Sequence, residues 1–236
     1  MPRSTPSPTT PLLEKVLDAL GGEIVSGLFE EGDVFTLQEI SDRFDISRTV
    51  AREVMRALEL MGLVASSRRV GLKVQPPSNW SVLNPHIIEW RLRSEATRDA
   101  QMRSLFQLRA AIEPAAARYA ARNASEDHRL HLGELAEELL TLGQEGQGDS
   151  PAFLAADLEF HSLILKASGN EMFAALAPSL GAVMSGRTAL GLQPAAPNEA
   201  ALRDHLELAQ AIVTGDAATA EARCRSIVAE ADHALR

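Results

Sequence analysis

The chain has 236 residues, enough for two domains, and carries a formal net charge of −9 with 45% hydrophobic but only 4% aromatic residues. Its longest apolar runs fall far short of a membrane span, and a single cysteine, Cys224, excludes an internal disulfide framework. A soluble, cytoplasmic protein with no membrane partner is expected, and an acidic chain of this kind binds nucleic acid only where its positive charge is gathered on one face.

The first segment, residues 1–11 (MPRSTPSPTTP), is rich in Pro, Ser and Thr without an apolar stretch, so it reads as a disordered arm and not as a signal peptide. From Leu12 to Leu28, apolar residues at Leu13, Val16, Leu17, Leu20, Ile24 and Val25 predict an amphipathic helix ending near Gly27. A short helix over Thr36–Phe44 follows, then a tight turn through Asp45 and Ile46 and a second helix capped by Ser47. In that second helix Arg48, Arg52 and Arg56 recur every four residues and share one face, while Val50, Val54, Leu58 and Met61 form the opposite, core-facing side. A hairpin over Leu63–Val74, with Arg68 and Arg69 near its tip and Gly71 at its close, completes a winged helix-turn-helix.

Charge supports a DNA-reading role for this unit. Between Ile46 and Gln75 six basic residues (Arg48, Arg52, Arg56, Arg68, Arg69, Lys73) stand against Glu53 and Glu59, a local net of +4 in a chain of −9. Ser47 leaves the N-terminus of the second helix free to aim backbone N–H groups at phosphate. Ser47, Arg48, Thr49, Arg52, Arg56, Arg68, Arg69 and Gly71 are the expected contacts to double-stranded operator DNA.

Pro76, Pro77, Ser78 and Asn79 continue neither strand nor helix and mark a boundary. The reading is therefore a DNA-binding domain over 12–75, a linker with a short helix over 76–97, in which Ile87 and Trp90 dock on something, and a second domain over 98–236. That domain is a succession of helices, roughly 98–123, 126–144, 151–168, 170–191, 198–214 and 217–235, without strand-like alternation. The fold class is mainly α: an N-terminal winged helix-turn-helix plus a C-terminal antiparallel helical bundle, a scaffold that builds polar sites from facing helices.

In the bundle, Asp157 and His161 are four apart, about 40° of helical rotation, so both project from one face. A carboxylate beside an imidazole suits a divalent transition ion, and His205 offers a second imidazole. Arg109, flanked by Leu105, Leu108 and Ile112, either grips a carboxylate ligand or pairs within its helix with Glu113. Arg187 is a further candidate for the same site. His86, His128 and His131 read as surface or linker groups.

These motifs carry a resemblance. Ser47-Arg48-Thr49-Val50-x-Arg52-Glu53, Leu58…Gly62-Leu63-Val64 and Gly71 resemble the GntR family of bacterial transcriptional regulators. Leu108-Arg109-x-x-Ile112-Glu113-Pro114, Asp157-x-x-x-His161, Gly169-Asn170 and His205-x-x-x-x-Ala209…Gly215-Asp216 are similar to the FCD effector domain of its FadR subfamily. The Trp80…Leu83…Trp90 joint is similar to members that sense sugar acids such as galactonate. The resemblance implies a homodimeric repressor whose operator binding is relieved by a small carboxylic acid, a sugar acid first in line. It also implies Zn²⁺ or another divalent ion at Asp157, His161 and His205. Two departures stand out: Phe35-Thr36-Leu37-Gln38 replaces the usual Pro-Ala-Glu-Arg, and Ile227 occupies the place of a further histidine ligand. His233 is no easy substitute, since six residues further on means about 9 Å and some 240° around the helix.

Three readings of the bundle stay open: an ion with an open position that an effector carboxylate completes, a metal-free polar cavity that binds an anion through Arg109 and the histidines, or histidines without a ligand. For the whole protein, the alternatives to an acid-relieved repressor are a regulator for which the ion itself is the signal, and a metal-dependent enzyme. No nucleophile pairing or acid/base motif accompanies Asp157, His161 and His205, which argues against the enzyme.

Overall fold

The computed structural model describes residues 9–67 and 71–233, which divide into two compact units meeting between Asp99 and Ala100. Most of the expected arm, and the wing-tip arginines Arg68 and Arg69, lie outside the described residues.

The first unit contains helices α1 (Thr9–Val25), α2 (Leu37–Phe44), α3 (Arg48–Leu60) and α4 (Pro85–Arg93), and strands β1 (Val34–Phe35), β2 (Val64–Ser67) and β3 (Gly71–Val74). Helix α1 starts three residues before the expected Leu12. Pro11 falls in its first turn, where a helix has no backbone N–H partner to lose. Thr36 caps α2 in a reciprocal box: its hydroxyl accepts from the Glu39 N–H at 3.2 Å and the Glu39 carboxylate accepts from the Thr36 N–H at 2.6 Å. Asp45 ends that helix in the left-handed region, and Ser47 caps α3 by accepting from Val50 N–H at 3.3 Å. The three antiparallel strands lie in the order β1-β3-β2, pairing Phe35 with Leu72 and Ser67 with Gly71. Strand β1 is a third member of the wing sheet beyond the expected hairpin. At Gly71 (φ +116°) a Cβ would lie 2.7 Å from the Phe35 carbonyl oxygen, so only glycine lets β3 close on β1.

One apolar core unites the unit. Val16, Leu20 and Ile24 from α1 meet Val50, Val54 and Leu58 from α3, with Leu63 and Leu72 from the wing and Ile87 and Trp90 from α4. The 76–97 segment is thus built into this unit, and what its short helix docks on is α1. The Trp90 ring lies over Gly21, where an added Cβ would stand 2.2 Å from a ring carbon. Its indole N–H donates to Asp18 at 2.7 Å, and Arg93 forks onto the same carboxylate with both distances at 2.8 Å.

The second unit is all helix: α5 (Arg98–Asn123, which begins at the end of the first unit), α6 (Glu126–Gln144), α7 (Pro151–Ala167), α8 (Glu171–Ala175), α9 (Ala177–Ala189), α10 (Glu199–Thr214) and α11 (Ala217–His233). The expected helix over 170–191 is split at Leu176. Pro178, in the first turn of α9, has no N–H to continue the ladder from Ala174, so the chain restarts there. Gly215, left-handed at φ +79°, ends α10, and Asp216 opens α11 by accepting from Ala218 and Thr219 N–H. The core runs through Ala117, Leu132, Leu139, Phe160, Ile164, Leu208 and Ile212. Arg129 donates to the carbonyls of Ala121, Ala124, Ile212 and Val213, tying together the C-terminal ends of α5 and α10.

Candidate functional site

On the first unit, the capped start of α3 and its arginine face remain at the surface. Ser47, Arg48, Thr49, Arg52 and Arg56 are all exposed, while Val50, Val54 and Leu58 behind them are buried. Arg48 donates to Gln38 of α2, and Arg56 pairs with Glu53 at 2.8 Å on its own helix. Arg52 has no hydrogen bond or ion pair among the described residues, so its guanidinium stands free for an outside partner. Gln38 occupies one of the positions where the sequence departs from the family pattern, and its contact orients Arg48.

On the second unit, three helices bring a set of polar side chains into the core. Asp157 and His161 project from α7, His205 from α10, and Arg109 and Glu113 from α5. Among the described residues, Asp157, His161 and His205 form a group whose ligand atoms all lie within 4.8 Å of one another. Asp157 Oδ1 stands 3.4 Å from His161 Nε2 and 3.6 Å from His205 Nε2.

The outer nitrogens of both imidazoles are held. His161 Nδ1 lies 2.8 Å from Glu113 Oε2, and His205 Nδ1 lies 2.7 Å from the Ala201 carbonyl one turn back. A carbonyl oxygen only accepts, so His205 carries a proton on Nδ1, and it is Nε2 of the neutral ring that offers a lone pair to an ion. That Nε2 is buried and has no hydrogen-bond partner. Phe160 supports both rings, its centroid 5.7 Å from His161 and 5.3 Å from His205. Two imidazoles fixed from behind by a carboxylate and a carbonyl, converging with a carboxylate oxygen, form a donor set that fits a divalent transition ion.

Of the two readings the sequence left open for Arg109, the intrahelical pair is the one that forms. Arg109 and Glu113 do form the i,i+4 pair, at 2.6 Å and 3.2 Å, but at 2% and 1% exposure they are buried beside His161. Arg109 Nη2 also lies 3.5 Å from each His161 ring nitrogen. Burial alone would raise the Glu113 carboxyl, yet the charges of Arg109 and His161 outweigh it and hold it at about 2. Burial likewise works against the His161 imidazolium, but Glu113 and Asp157 on either side lift it to about 9. Desolvation works against the half-buried Asp157 carboxylate, but His161 and His205 beside it hold it well below the usual carboxylate range. An ion taking this site therefore displaces a proton from His161.

Beside the cluster lies a cavity of about 60 Å³. Arg109, Asp157, His161, His205 and Arg187 all line it, so the five effector residues expected from sequence share one site. Arg187, on α9, is 8% exposed and its Nε has no partner. Burial and the charge of Arg109 weaken its hold on its proton, and Asp157 and Glu230 only partly offset them. Ile227 is a buried wall residue of the same cavity. Glu113, Gln193 and Glu230 belong to the site but were not singled out from sequence. For Glu113 the Glu-Pro pair after Arg109 was a usable signal; Gln193 lies in a loop and Glu230 on a helix face with nothing to mark them.

These features define a class: a winged helix-turn-helix protein whose second, helical unit holds a polar cavity. Residues 12–74 match the bacterial regulatory proteins of the gntR family, and residues 104–230 match the FCD domain. The chain belongs to this family, a gntR-type DNA-binding domain joined to an FCD domain, and is a DNA-binding transcriptional regulator, not an enzyme. It is 26% identical over 228 residues to the galactonate operon transcriptional repressor of Escherichia coli (strain K12), covering 94% of this chain and 96% of that protein. The HTH-type transcriptional repressor NanR of Cronobacter sakazakii is 26% identical over 166 residues, 70% of this chain and 62% of that protein. Among solved structures, that of Lar, which controls the Listeria monocytogenes agr system, matches with a TM-score of 0.60 at 13% identity over 99% of both chains, a likeness of fold. No helix among the described residues is long and apolar enough to cross a membrane.

Proposed function

We propose that the protein is a cytoplasmic, homodimeric repressor whose grip on operator DNA is relieved by a small carboxylic acid, a sugar acid first among them, bound in the FCD cavity. The observation that carries this reading is the pairing of two unmet needs in one cavity. The buried His205 Nε2 lacks a donor or cation, and the buried Arg187 Nε lacks an acceptor.

Asp157, His161 and His205 would hold Zn²⁺ or a similar ion, which supplies a Lewis-acidic centre with positions left over for a ligand oxygen. Glu113 orients His161 by accepting a hydrogen bond from its Nδ1–H, and Arg109 balances Glu113 so that the carboxylate stays charged in the core. Arg187 pairs with the acid's carboxylate from the α9 side. Ile227 contributes no ligand and lines the cavity with an apolar side chain. At about 60 Å³ the cavity has room for roughly four to six waters, which suits a carboxylate head with its neighbouring carbons. A longer acid extends along the loop at Gln193–Pro197, tied down by the Gly148 N–H to the Ala195 carbonyl at 2.7 Å.

The galactonate operon repressor, alike over nearly the whole chain, supports both the repressor sense and the sugar-acid class. A regulator that answers to the ion alone leaves Arg187 without a role. At the DNA, two copies of α3 on paired half-sites supply the specificity that one copy lacks.

A thermal-shift screen of metal-stripped and Zn²⁺-loaded protein against hexonates, ketodeoxy acids, lactate and dicarboxylates tests the reading. Stabilisation by an acid that depends on metal and is lost in Arg187→Ala supports it. Metal without any acid response, or an acid response indifferent to Arg187, overturns it.

A further inference from the structure

Glu230 has no part in the ion cluster and no role so far, yet it lines the cavity. It sits on α11 three residues beyond Ile227, on the same side of the helix, and is only partly exposed. Facing the same space are Arg187 on α9, Asp157 and His161 on α7, His205 on α10 and Arg109 on α5.

The charges of this group can be reckoned. Arg109 and Glu113 neutralise one another through their forked contact. That leaves Arg187 as one cation against Asp157 and Glu230. With a divalent ion in place and both imidazoles neutral, the cavity carries one net positive charge. A monocarboxylate cancels it. A dicarboxylate or a phosphorylated acid brings a surplus negative charge into a poorly solvated space that already holds a carboxylate.

Glu230 and Gln193 also line the cavity with polar groups of different kinds. A carboxylate only accepts hydrogen bonds, and an amide both donates and accepts. Hydroxyl groups satisfy both, whereas a second carboxylate satisfies only the amide and repels the acid.

We propose that Glu230 is a specificity-determining residue that restricts the effector to singly charged hydroxy acids and rejects their dicarboxylate counterparts. The inference rests on the acid-binding reading above and narrows its ligand class. Negative selection of this kind works by placing a repulsive group against the wrong ligand.

Matched pairs isolate the effect, because an aldonate and the corresponding aldarate share a carbon skeleton and differ only in a terminal CH₂OH or carboxylate. The full-length, Zn²⁺-loaded protein is titrated calorimetrically with galactonate and galactarate, gluconate and glucarate, glycerate and tartronate. The wild type is expected to bind at least one aldonate more tightly than its aldarate by about tenfold or more. Glu230→Gln should close that gap chiefly by strengthening aldarate binding, and Glu230→Arg should reverse the preference. Equal binding of both members by the wild type overturns the selectivity proposal while leaving the acid-binding reading standing, as does an unchanged ratio in both variants. No binding of any acid by the wild type overturns the acid-binding reading and this inference with it.

Discussion

Glu113→Gln separates the functional use of the core ion pair from its structural use. In the native unit the carboxylate meets Arg109 at 2.6 Å and 3.2 Å and His161 Nδ1 at 2.8 Å, all at 1–4% side-chain exposure. The amide keeps the shape and an oxygen that can still accept from His161, but it deletes the charge. Breaking one side of a buried pair costs about 3–5 kcal/mol, because the guanidinium left behind has no counter-charge and cannot reach water. For a protein of this size the midpoint of thermal unfolding should fall by roughly 10 °C. Zn²⁺ affinity, read by competition with a chelating dye, should weaken about 10–100-fold, the usual effect of losing a carboxylate behind a ligating histidine. The double variant Arg109→Met with Glu113→Leu removes both charges and should recover much of the stability without recovering the metal affinity. Unchanged Zn²⁺ affinity in Glu113→Gln, measured below its melting point, would refute the claim that Glu113 orients His161 for a metal.

Other perturbations bear on the remaining parts. Arg52→Ala should abolish binding to DNA in a gel-shift assay while leaving the melting curve within about 0.5 kcal/mol of wild type, as expected for an exposed side chain without partners; full DNA affinity would sink the assignment of α3 as the reading helix. Gly21→Ala puts a methyl group 2.2 Å from a Trp90 ring carbon and should destabilise the first unit by about 1–3 kcal/mol, seen as earlier hydrogen exchange in α1 and α4. The pH dependence of the metal-free protein follows from His161, which is lifted from its ordinary 6.5 to about 9 by Glu113 and Asp157. Its imidazolium contributes stability that is fully present below pH 6.5 and lost as pH rises through 9. The melting temperature of stripped protein should therefore fall over that window, Zn²⁺ affinity should rise over it, and His161→Gln should flatten both trends.

Much of this was readable from the chain because local rules act over a few residues. The cap at Ser47, the Arg48, Arg52 and Arg56 face with Val50, Val54 and Leu58 behind it, and the i,i+4 spacing of Asp157 and His161 each follow from helix geometry alone. Strand β1 was missed because two residues cannot display an alternation, and its pairing with β3 is set by Gly71, thirty-odd positions away. The break at Leu176 was missed although Pro178 marks it; the apolar run on either side concealed the restart. In the site, Glu113 was seen only as the neighbour of Arg109 on one helix. That its carboxylate turns to His161, on another helix, is a property of how α5 packs on α7. Glu230 and Gln193 needed the closed bundle in the same way, since nothing in their sequence surroundings distinguishes them from solvated residues.

Release of DNA on acid binding is the step on which the whole reading depends. A duplex selected from a random pool by the purified protein serves as the fluorescent probe, and its anisotropy is followed as galactonate or another aldonate is added to Zn²⁺-loaded wild type, metal-stripped wild type and His205→Ala. The expected result is dissociation in the loaded wild type alone, with DNA affinity falling about 5–150-fold. An aldonate that saturates the FCD cavity in calorimetry yet leaves the anisotropy unchanged would contradict it.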